Sequence, residues 1–391
     1  MYQFLLVTGY QKDNWEDATL DSKDVKNFLN EIEKDFGALP LDLHITRKAC
    51  ALVAISDGKV IKLQEPEVHH CPLFTTLFNF KELNKQAIEK KFEKQCDDWG
   101  MFTCHRKVCD EKIIVPFGAS EMIMYALKRK TIDCAVVACE GAGTVISDNP
   151  GLVQGIGAYM NGLFYTTPIQ DVINNIKENG GTVLSAKDAK LNQYEGVMKA
   201  AQMGCRKIAV TVRGDEMETI KNIREFEHGF NSVWEGSGSG FDKNINPKKT
   251  QHMHTLKINL KNPEYLEVVI LAICNTGISA EQAQNVSDSA DLAWACASKE
   301  IRNTAGPRSI LQVGIKIPVF VMTEKGLDFI SAYSSDETLK EKLGNISKKH
   351  YITSSKFEDG SVKIQMGKFH VFLYETAKLP VNTEDEPEPL V

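Results

Sequence analysis

Three cysteines of the sequence directly follow short apolar segments, and each precedes residues suited to polar contacts. Cys139 ends "IDCAVVAC" and precedes "EGAGT", Cys274 ends "VVILAIC" and precedes "NTGIS", and Cys296 ends "DLAWAC" and precedes "ASKEIR". In an open parallel sheet, ligands bind beyond the carboxyl ends of the strands. If the apolar segments are strands, the three thiols therefore lie where a ligand would bind.

The loops after these cysteines predict a site for an anion. Backbone N–H groups within 141–144 and 276–279 could cradle a negative charge, and neighbouring cations could lower the pKa of a thiol. The candidate cofactor-binding residues are Gly141, Gly143, Thr144, Thr276, Gly277, Ser298 and Lys299. Neither loop has the Gly-x-Gly-x-x-Gly pattern of a dinucleotide site or a Walker lysine.

Three residues are candidates for catalysis. Cys139 and its neighbour Glu140 could act as nucleophile or base in the glycine loop, and Glu121 in "FGASE" is a candidate acid or base. The alternatives are structural. A free cysteine often packs as a small hydrophobe, and a carboxylate near a helix N-terminus is favoured electrostatically whatever its function.

A metal or iron–sulfur cluster is the third possibility, with Cys71 (in "HHCPLF"), Cys139 and Cys296 as ligands. Thiolates bind zinc and iron–sulfur clusters, although the Cys-x2-Cys spacing of a zinc knuckle is absent. His252 and His254 could also bind a metal, with a solvated loop as the alternative. A cluster requires Cys71, Cys139, Cys274 and Cys296 to converge around a cavity; scattered positions favour packing.

The segment after the first glycine loop predicts a helix rather than a second anion site. In "NPGLVQGIG" Asn149 is placed to cap a helix and Pro150 to begin it. Gly151 and Gly155 then lie one turn apart on one face, where they allow a close helix contact.

Apolar, β-branched segments alternate with helical ones along most of the chain. This alternation predicts an α/β fold with a mostly parallel, Rossmann-like sheet and helices on both faces. Two stretches, around Cys139 and around Cys296, share an order of elements, so two related halves are possible. The α/β body is expected at 67–335, with 229–262 inserted as a surface loop rich in Gly and Ser.

The two chain ends are expected to form a β-rich accessory region. Residues 1–66 contain a hairpin signal at Asp57-Gly58, and 336–380 contain a second at Asp359-Gly360. The acidic, Pro-containing segment 381–391 is expected to be disordered.

Composition restricts the function classes. The net charge of −6 and the lack of a basic stripe argue against nucleic-acid binding. No apolar run is long enough for a membrane span, and the N-terminus does not resemble a signal peptide. A cytoplasmic protein is expected, in which the ten cysteines are thiols or metal ligands rather than disulfides.

Several motifs resemble one known family in their order along the chain: "CPLF", "FGASE", "CEGAGTVI", "LVQGIG", "GLFYTTPI", "NQYEGV", "KIAVTV", "NTGIS" and "ACASK". This is the methanogenesis marker protein 8 family, a domain of unknown function found in methanogens and other anaerobes. The resemblance covers roughly 45–215 and 265–330. It implies a cytosolic protein of an anaerobe associated with methane or one-carbon metabolism, and it supplies no reaction.

Three hypotheses follow. The first is a metal- or thiol-dependent accessory protein that handles a cofactor or helps to mature a partner metalloenzyme. The second is a metal-free enzyme that acts on a small anionic substrate through the glycine loops. The third is a ligand-sensing binding or scaffold module that docks a partner.

Overall fold

The computed structural model describes residues 23–158, 160, 162–236, 265–334, 339–343, 348–355, 361–383 and 386–391. The helices are α1 Lys23–Phe36, α2 Pro72–Phe78, α3 Lys85–Trp99, α4 Ala119–Lys128, α5 Pro150–Gly157, α6 Gln170–Glu178, α7 Gln193–Gln202, α8 Met217–Gly236, α9 Ala280–Ser289, α10 Lys299–Arg308, α11 Glu324–Ser331 and α12 Leu339–Lys342.

The strands are β1 His44–Lys48, β2 Ala51–Ser56, β3 Lys59–Leu63, β4 Cys134–Cys139, β5 Gly143–Ser147, β6 Gly162–Thr166, β7 Thr182–Val183, β8 Lys207–Arg213, β9 Glu267–Ile273, β10 Leu292–Trp294, β11 Leu311–Val313, β12 Val319–Val321, β13 Lys349–Thr353, β14 Val362–Met366 and β15 Phe369–Thr376. None of the helices in this part of the chain is long and apolar enough to cross a bilayer.

Capping residues set the limits of helices as the sequence predicts. The Asn149 side chain accepts hydrogen bonds from the N–H groups of Gly151 and Leu152, and Pro150 is the first residue of α5. A side chain added at Gly155 would lie 2.3 Å from the carbonyl oxygen of Val108, so this glycine permits a close backbone contact. The packing explanation for "NPGLVQGIG" is therefore confirmed.

Eleven strands form the main sheet, in the order β14-β15-β13-β11-β12-β10-β9-β8-β4-β5-β7. The adjacent strands β10, β9, β8 and β4 are parallel, as are β11 and β13, whereas the other six neighbouring pairs are antiparallel. The α/β class is confirmed, but the mostly parallel Rossmann-like sheet is not, because the sheet is mixed. The connection between β4 and β5 has three residues, which is too short for a parallel crossover.

Helices cover both faces of this sheet, and successive strand residues alternate between two cores. Val137 and Leu271 pack in one core with residues of α4, α5 and α6. Val136 and Ile270 pack in the other core with residues of α7, α8 and α9. The parallel centre, buried on both sides, explains the continuous apolar runs in the sequence.

The N-terminal hairpin forms as predicted, but its sheet is not built by the chain ends. Strands β2 and β3 are joined through Asp57 and Gly58, which both have positive φ. The small sheet has the order β3-β2-β1-β6 and so recruits β6 from the middle of the chain. The C-terminal strands instead extend the main sheet, because β13 pairs with β11.

The C-terminal hairpin has a different turn from the predicted one. Strands β13 and β14 do not pair with each other; both flank β15, and the hairpin turn lies between Met366 and Phe369. Asp359-Gly360 lies outside the described residues.

The expectation of a disordered tail is wrong for the described residues of 381–391. Glu388 pairs with His70, the N–H of Val391 donates to the Ala297 carbonyl, and the buried Arg302 binds Glu386 at 2.9 Å. The acidic charge that suggested disorder is thus partly matched by a buried arginine.

The structure tests two further expectations, the surface loop at 229–262 and the two related halves. Of the expected surface loop, 229–236 continue helix α8, and 237–262 with His252 and His254 lie outside the described residues. The two related halves are not confirmed. After β4 the chain turns directly into its antiparallel neighbour β5, whereas after β10 it enters helix α10.

Candidate functional site

A cavity of about 840 Å³ lies at the carboxyl ends of the parallel strands β8, β9 and β10. Strand β1 of the small sheet, helices α2 and α3, the loop 115–120 and residues within 313–319 and 352–355 also contribute to its wall. Its size is typical of ligand pockets, and its place at strand ends is where open α/β sheets bind ligands. The volume exceeds that of a small inorganic anion many times.

Four cysteines line this cavity: Cys50, Cys71, Cys274 and Cys296. All are half-buried free thiols. Cys274 and Cys296 follow β9 and β10, as the sequence predicts, and Cys71 is the N-cap residue of α2. Three of the four cysteines that the sequence singles out for a cluster, Cys71, Cys274 and Cys296, line one cavity together with Cys50, whereas Cys139 does not; their convergence on one small centre stays a prediction.

Three of these cysteines have a backbone conformation that is unusual for their type. Cys50, Cys274 and Cys296 have φ of 66°, 55° and 47°. For a residue with a Cβ atom the left-handed region costs roughly 1–2 kcal/mol. Such outliers cluster at functional sites, where the surrounding structure enforces them.

The turn that carries Cys50 shows the strain most clearly. Lys48 pairs with Ala51 across the β1–β2 hairpin, so Ala49 and Cys50 form a two-residue turn, and both have positive φ. This geometry normally selects Asn-Gly or Gly-Gly. The neighbouring turn of the same sheet, Asp57-Gly58, has the ordinary residues.

Gly277 fits this arrangement sterically. It has a φ of +75°, and a Cβ atom added there would lie 2.8 Å from the Cys50 sulfur. Its role in the structure is therefore the close approach of the 275–279 loop to Cys50. Its neighbour Thr276 lines the cavity.

The charged residues of the wall are mostly basic: Arg47, Lys48, Lys91, Arg213 and Lys316, against the single acid Glu216. The arginines are fixed by partners. Arg47 donates to the Cys274 carbonyl at 2.8 Å, and Arg213 binds Asp215 at 3.0 Å and Glu216 at 3.1 Å. Arg213 also lies over the Phe164 ring.

Two of the three wall lysines, Lys48 and Lys91, lie over aromatic rings. Lys48 Nζ lies 4.2 Å from the centre of the Phe74 ring. Lys91 is only 2% exposed, its Nζ has no hydrogen-bond partner among the described residues, and it lies over the Phe92 ring. A buried polar atom without a partner is rare in folded proteins and points to a missing ligand or water.

Burial lowers the pKa of both lysines. For Lys48 the nearby Cys71, Cys296 and Cys274 thiols oppose this effect. For Lys91, the positive charge of Lys48 adds to the lowering, and its pKa falls well below the usual range.

Burial favours the protonated thiol at three of the four cavity cysteines, Cys50, Cys274 and Cys296. Burial raises the pKa of Cys50 to about 11 and that of Cys296 to about 12. Burial also raises the pKa of Cys274, although Arg47, Lys48 and Arg213 act in the opposite direction.

The loop 139–144 lies outside the cavity wall. Cys139 is completely buried and packs in the core beside Ala142. Burial raises its pKa far above the usual range, so it is a protonated thiol. Glu140 is also completely buried, and its carboxylate forms an ion pair with the buried Arg106. Neither residue has access to a ligand in the cavity.

The N–H groups expected to cradle an anion are bonded within the protein. The N–H of Gly141 donates to Thr166 Oγ1 at 2.7 Å, and that of Thr144 donates to the Lys190 carbonyl at 2.9 Å. A side chain added at Gly143, where φ is +74°, would lie 2.2 Å from the Ala189 carbonyl oxygen. These residues close a tight turn against neighbouring segments.

The remaining candidates lie beside the cavity rather than in its wall. Ser298 caps α10 by accepting from the Ile301 N–H, and the Lys299 side chain is exposed. Glu121 is buried, accepts from the Val115 N–H at 2.6 Å and from the Tyr333 hydroxyl at 3.0 Å, and has a pKa raised by burial. Because Val115 lines the cavity, Glu121 positions one wall.

The metal-ligand set Cys71, Cys139 and Cys296 is not brought together, because only Cys71 and Cys296 reach the cavity. Among the residues that the structure describes, no three His, Cys, Asp or Glu side chains are arranged so that they could hold a metal ion.

Sequence reasoning missed Cys50 and the three cavity lysines, Lys48, Lys91 and Lys316. A signal for Lys91 exists: the buried face of α3 comprises Ala87, Ile88, Lys91, Phe92 and Gln95. A lysine on an otherwise apolar helical stripe is rarely fully buried without a partner. Lys48 and Cys50 give no comparable signal, because their position depends on contacts between distant segments.

Comparison with known proteins places the chain in a family. Residues 44–234 and 242–333 match the family described as "Uncharacterized protein conserved in archaea (DUF2099)", and the chain belongs to this family. It is 34% identical over 286 residues to an uncharacterized protein of Methanocaldococcus jannaschii, an alignment that covers 73% of this chain and 88% of that protein. No solved structure matches. The methanogenesis marker protein 8 name stays a prediction.

Proposed function

We propose that this family member binds an anionic cofactor or substrate with a sizeable apolar body in the cavity at the strand ends, and that the cavity thiols take part in handling it. The observation that supports this proposal is the wall itself, which combines five basic residues with one acid in a space of about 840 Å³. Cations set in an apolar wall favour a ligand with a negative head and an apolar remainder.

This proposal refines the thiol-dependent part of the first hypothesis. The resemblance to the methanogenesis marker family supports a place in anaerobic one-carbon metabolism and in the cytoplasm, where thiols stay reduced. It also supports a partner metalloenzyme as donor or recipient of the ligand. The ligand is held by Lys48, Arg47 and Arg213, not by the 141–144 loop.

Binding of 8-anilinonaphthalene-1-sulfonate, a fluorescent anion with an apolar body, tests the proposal. The protein is purified anaerobically and titrated with the probe. One saturable site is expected. Lys48→Met weakens binding about tenfold or more, because a cation facing the sulfonate is lost in a partly desolvated place.

Lys299→Met is the matched control, because Lys299 is an exposed lysine outside the cavity wall. It leaves the affinity unchanged. Equal weakening by both substitutions, or no saturable binding by a protein with native stability, contradicts the proposal.

Metal binding is the second candidate, because Cys71, Cys274 and Cys296 line the same cavity, although no three described His, Cys, Asp or Glu side chains are grouped as metal ligands. Metal coordination requires deprotonated thiols. Iron, zinc and acid-labile sulfide are measured in the anaerobic protein and in Cys71→Ser and Cys296→Ser variants. Stoichiometric metal that both substitutions remove supports this candidate, whereas metal below stoichiometry in the unaltered protein counts against it.

A further inference from the structure

Lys91 is the residue of the cavity whose chemistry is least explained by packing. Lys91 lines the cavity and is 2% exposed, and its amine has no hydrogen-bond partner among the described residues. Ordinary buried lysines pair with a carboxylate. The electrostatic neighbours of this amine are instead another cation, Lys48, and the thiols of Cys274 and Cys96.

We propose that the Lys91 amine forms a covalent imine with the carbonyl group of an anionic aldehyde or keto acid bound in the cavity. This inference rests on the proposed function, since it names the class of the ligand that the cavity binds. The observations behind it are a buried amine without a hydrogen-bond partner among the described residues, on a residue that lines the cavity, and the other basic residues of the same wall, which can hold an anionic group.

The surroundings favour the neutral, nucleophilic form of the amine. Burial is the main cause that lowers the pKa of Lys91, and the positive charge of Lys48 lowers it further. Cys274 and Cys96 act in the opposite direction. Desolvation and a neighbouring cation are the two means by which proteins activate lysine as a nucleophile. An exposed lysine, with a pKa near about 10.4, is almost fully protonated at neutral pH and does not react in this way.

The step balances without an oxidant or reductant. The nitrogen lone pair attacks the carbonyl carbon, the C=O π bond breaks, and an N–H proton moves to the oxygen to give a carbinolamine. The C–O bond then breaks, the second N–H proton leaves with the oxygen as water, and the C=N bond forms. A protonated thiol of the wall, such as Cys274, can donate to the departing oxygen and recover a proton from the nitrogen.

The anionic group of the ligand matters for charge balance. An iminium ion formed beside Lys48 would put two positive charges close together in a buried place. A phosphate or carboxylate on the ligand offsets this charge. We therefore expect anionic carbonyl compounds to react and neutral ones of the same shape to react poorly.

The experiment uses pyridoxal 5′-phosphate as an anionic aldehyde probe and pyridoxal as its counterpart without phosphate. The full-length protein is incubated anaerobically at neutral pH with each probe, treated with borohydride to fix imines, and digested for tandem mass spectrometry. Lys90 is the internal control, because it is the adjacent residue of the same helix and is exposed.

Pyridoxal 5′-phosphate is expected to label Lys91 at least about tenfold faster than Lys90, because burial and the neighbouring Lys48 favour the neutral amine of Lys91, whereas Lys90 is exposed. Labelling by pyridoxal is slower, and Lys48→Met removes the preference for the phosphate. Lys91→Met abolishes the adduct while the variant retains its far-ultraviolet circular dichroism and a cooperative unfolding transition. Labelling of Lys91 no faster than that of Lys90 overturns the proposal.

A displacement measurement separates this inference from the proposed function. If pyridoxal 5′-phosphate displaces 8-anilinonaphthalene-1-sulfonate but leaves Lys91 unlabelled, anion binding stands and the imine is wrong. If it neither displaces the dye nor labels Lys91, the imine is wrong. If the dye itself does not bind, the proposed function fails as well.

Discussion

The loop 139–144 and the cavity wall both follow strands of the parallel group, yet of these two regions the wall has a buried charged side chain without a hydrogen-bond partner among the described residues, and the loop has none. In the loop the Glu140 carboxylate has the Arg106 guanidinium, and the N–H groups of Gly141 and Thr144 have acceptors. In the wall the Lys91 amine has no hydrogen-bond partner in the described chain, and three cysteines have left-handed backbone. Satisfied groups indicate structure, whereas unsatisfied and strained groups indicate a place for a ligand.

The largest effect is expected from breaking the buried ion pair of the loop. Arg106→Met leaves the Glu140 carboxylate buried without its counter-charge and lowers the free energy of unfolding by about 3–5 kcal/mol. Urea denaturation measures this change. Arg308→Met is the control, because Arg308 and Asp288 are half-exposed, and it changes stability by less than about 1 kcal/mol. A small effect of Arg106→Met would remove the structural role assigned to the loop.

In the cavity, by contrast, we expect a substitution that increases the free energy of unfolding. Lys91→Met removes an amine buried without a hydrogen bond and keeps most of the apolar stem, so it raises the free energy of unfolding by about 1–3 kcal/mol. It also removes any covalent or anion-binding role of the residue. Urea denaturation of the unaltered protein and of the variant measures the difference. Destabilisation by Lys91→Met would contradict the claim that the buried Lys91 amine lowers the stability of the fold.

The advantage of Lys91→Met depends on pH in a defined direction. The folded protein lowers the pKa of Lys91 below the unfolded value of about 10.4, so between these two pKa values unfolding takes up a proton. The stability contribution of this lysine is therefore present above the unfolded pKa and is lost as the pH falls through the folded pKa. The gain from Lys91→Met shrinks as the pH rises toward 10, and denaturation at pH 7 and near pH 10 checks this.

A smaller effect is expected from the two hairpin turns of the small sheet. Cys50→Gly relieves a positive φ and raises stability by about 1–2 kcal/mol. Gly58→Ala at the ordinary turn has the opposite effect, because φ is +68° there and the new Cβ atom would lie 2.7 Å from Thr103 Cγ2. Thermal unfolding of the two variants compares them. Destabilisation by Cys50→Gly would show that the Cys50 conformation is not strained.

The smallest effect is expected from Cys139→Ala on ligand affinity. Cys139 packs in the core outside the cavity wall, so binding of 8-anilinonaphthalene-1-sulfonate stays within about twofold of the unaltered protein. Fluorescence titration measures it. A large loss of affinity in a folded variant would return the loop to the candidate site.

The sequence predicts local features well, because neighbouring residues determine them. The Asn149 cap, the Asp57-Gly58 turn and the positions of Cys274 and Cys296 after β9 and β10 follow from short-range patterns. The direction of β5 and the hairpin partner of β14 depend on which distant strands pair, and periodicity does not report this.

The site could be predicted only in part, for the same reason. Cysteines that follow strands indicated the position of the cavity correctly for Cys274 but not for Cys139. The two differ in the segments that pack over the end of their strand. The β4–β5 turn seals Cys139 in the core, whereas Cys274 faces β1, whose Arg47 donates to its carbonyl. This contact joins residues 227 positions apart, a separation that local sequence does not encode.

Protection from alkylation tests the central claim most directly. The anaerobic protein is treated with N-ethylmaleimide, with and without saturating 8-anilinonaphthalene-1-sulfonate, and each cysteine is followed by mass spectrometry. The dye is expected to slow the alkylation of Cys71 and Cys296, leave the exposed Cys104 unchanged, and find the buried Cys139 unlabelled in both cases. Unchanged alkylation of Cys71 and Cys296 with the dye bound would show that the ligand site lies elsewhere.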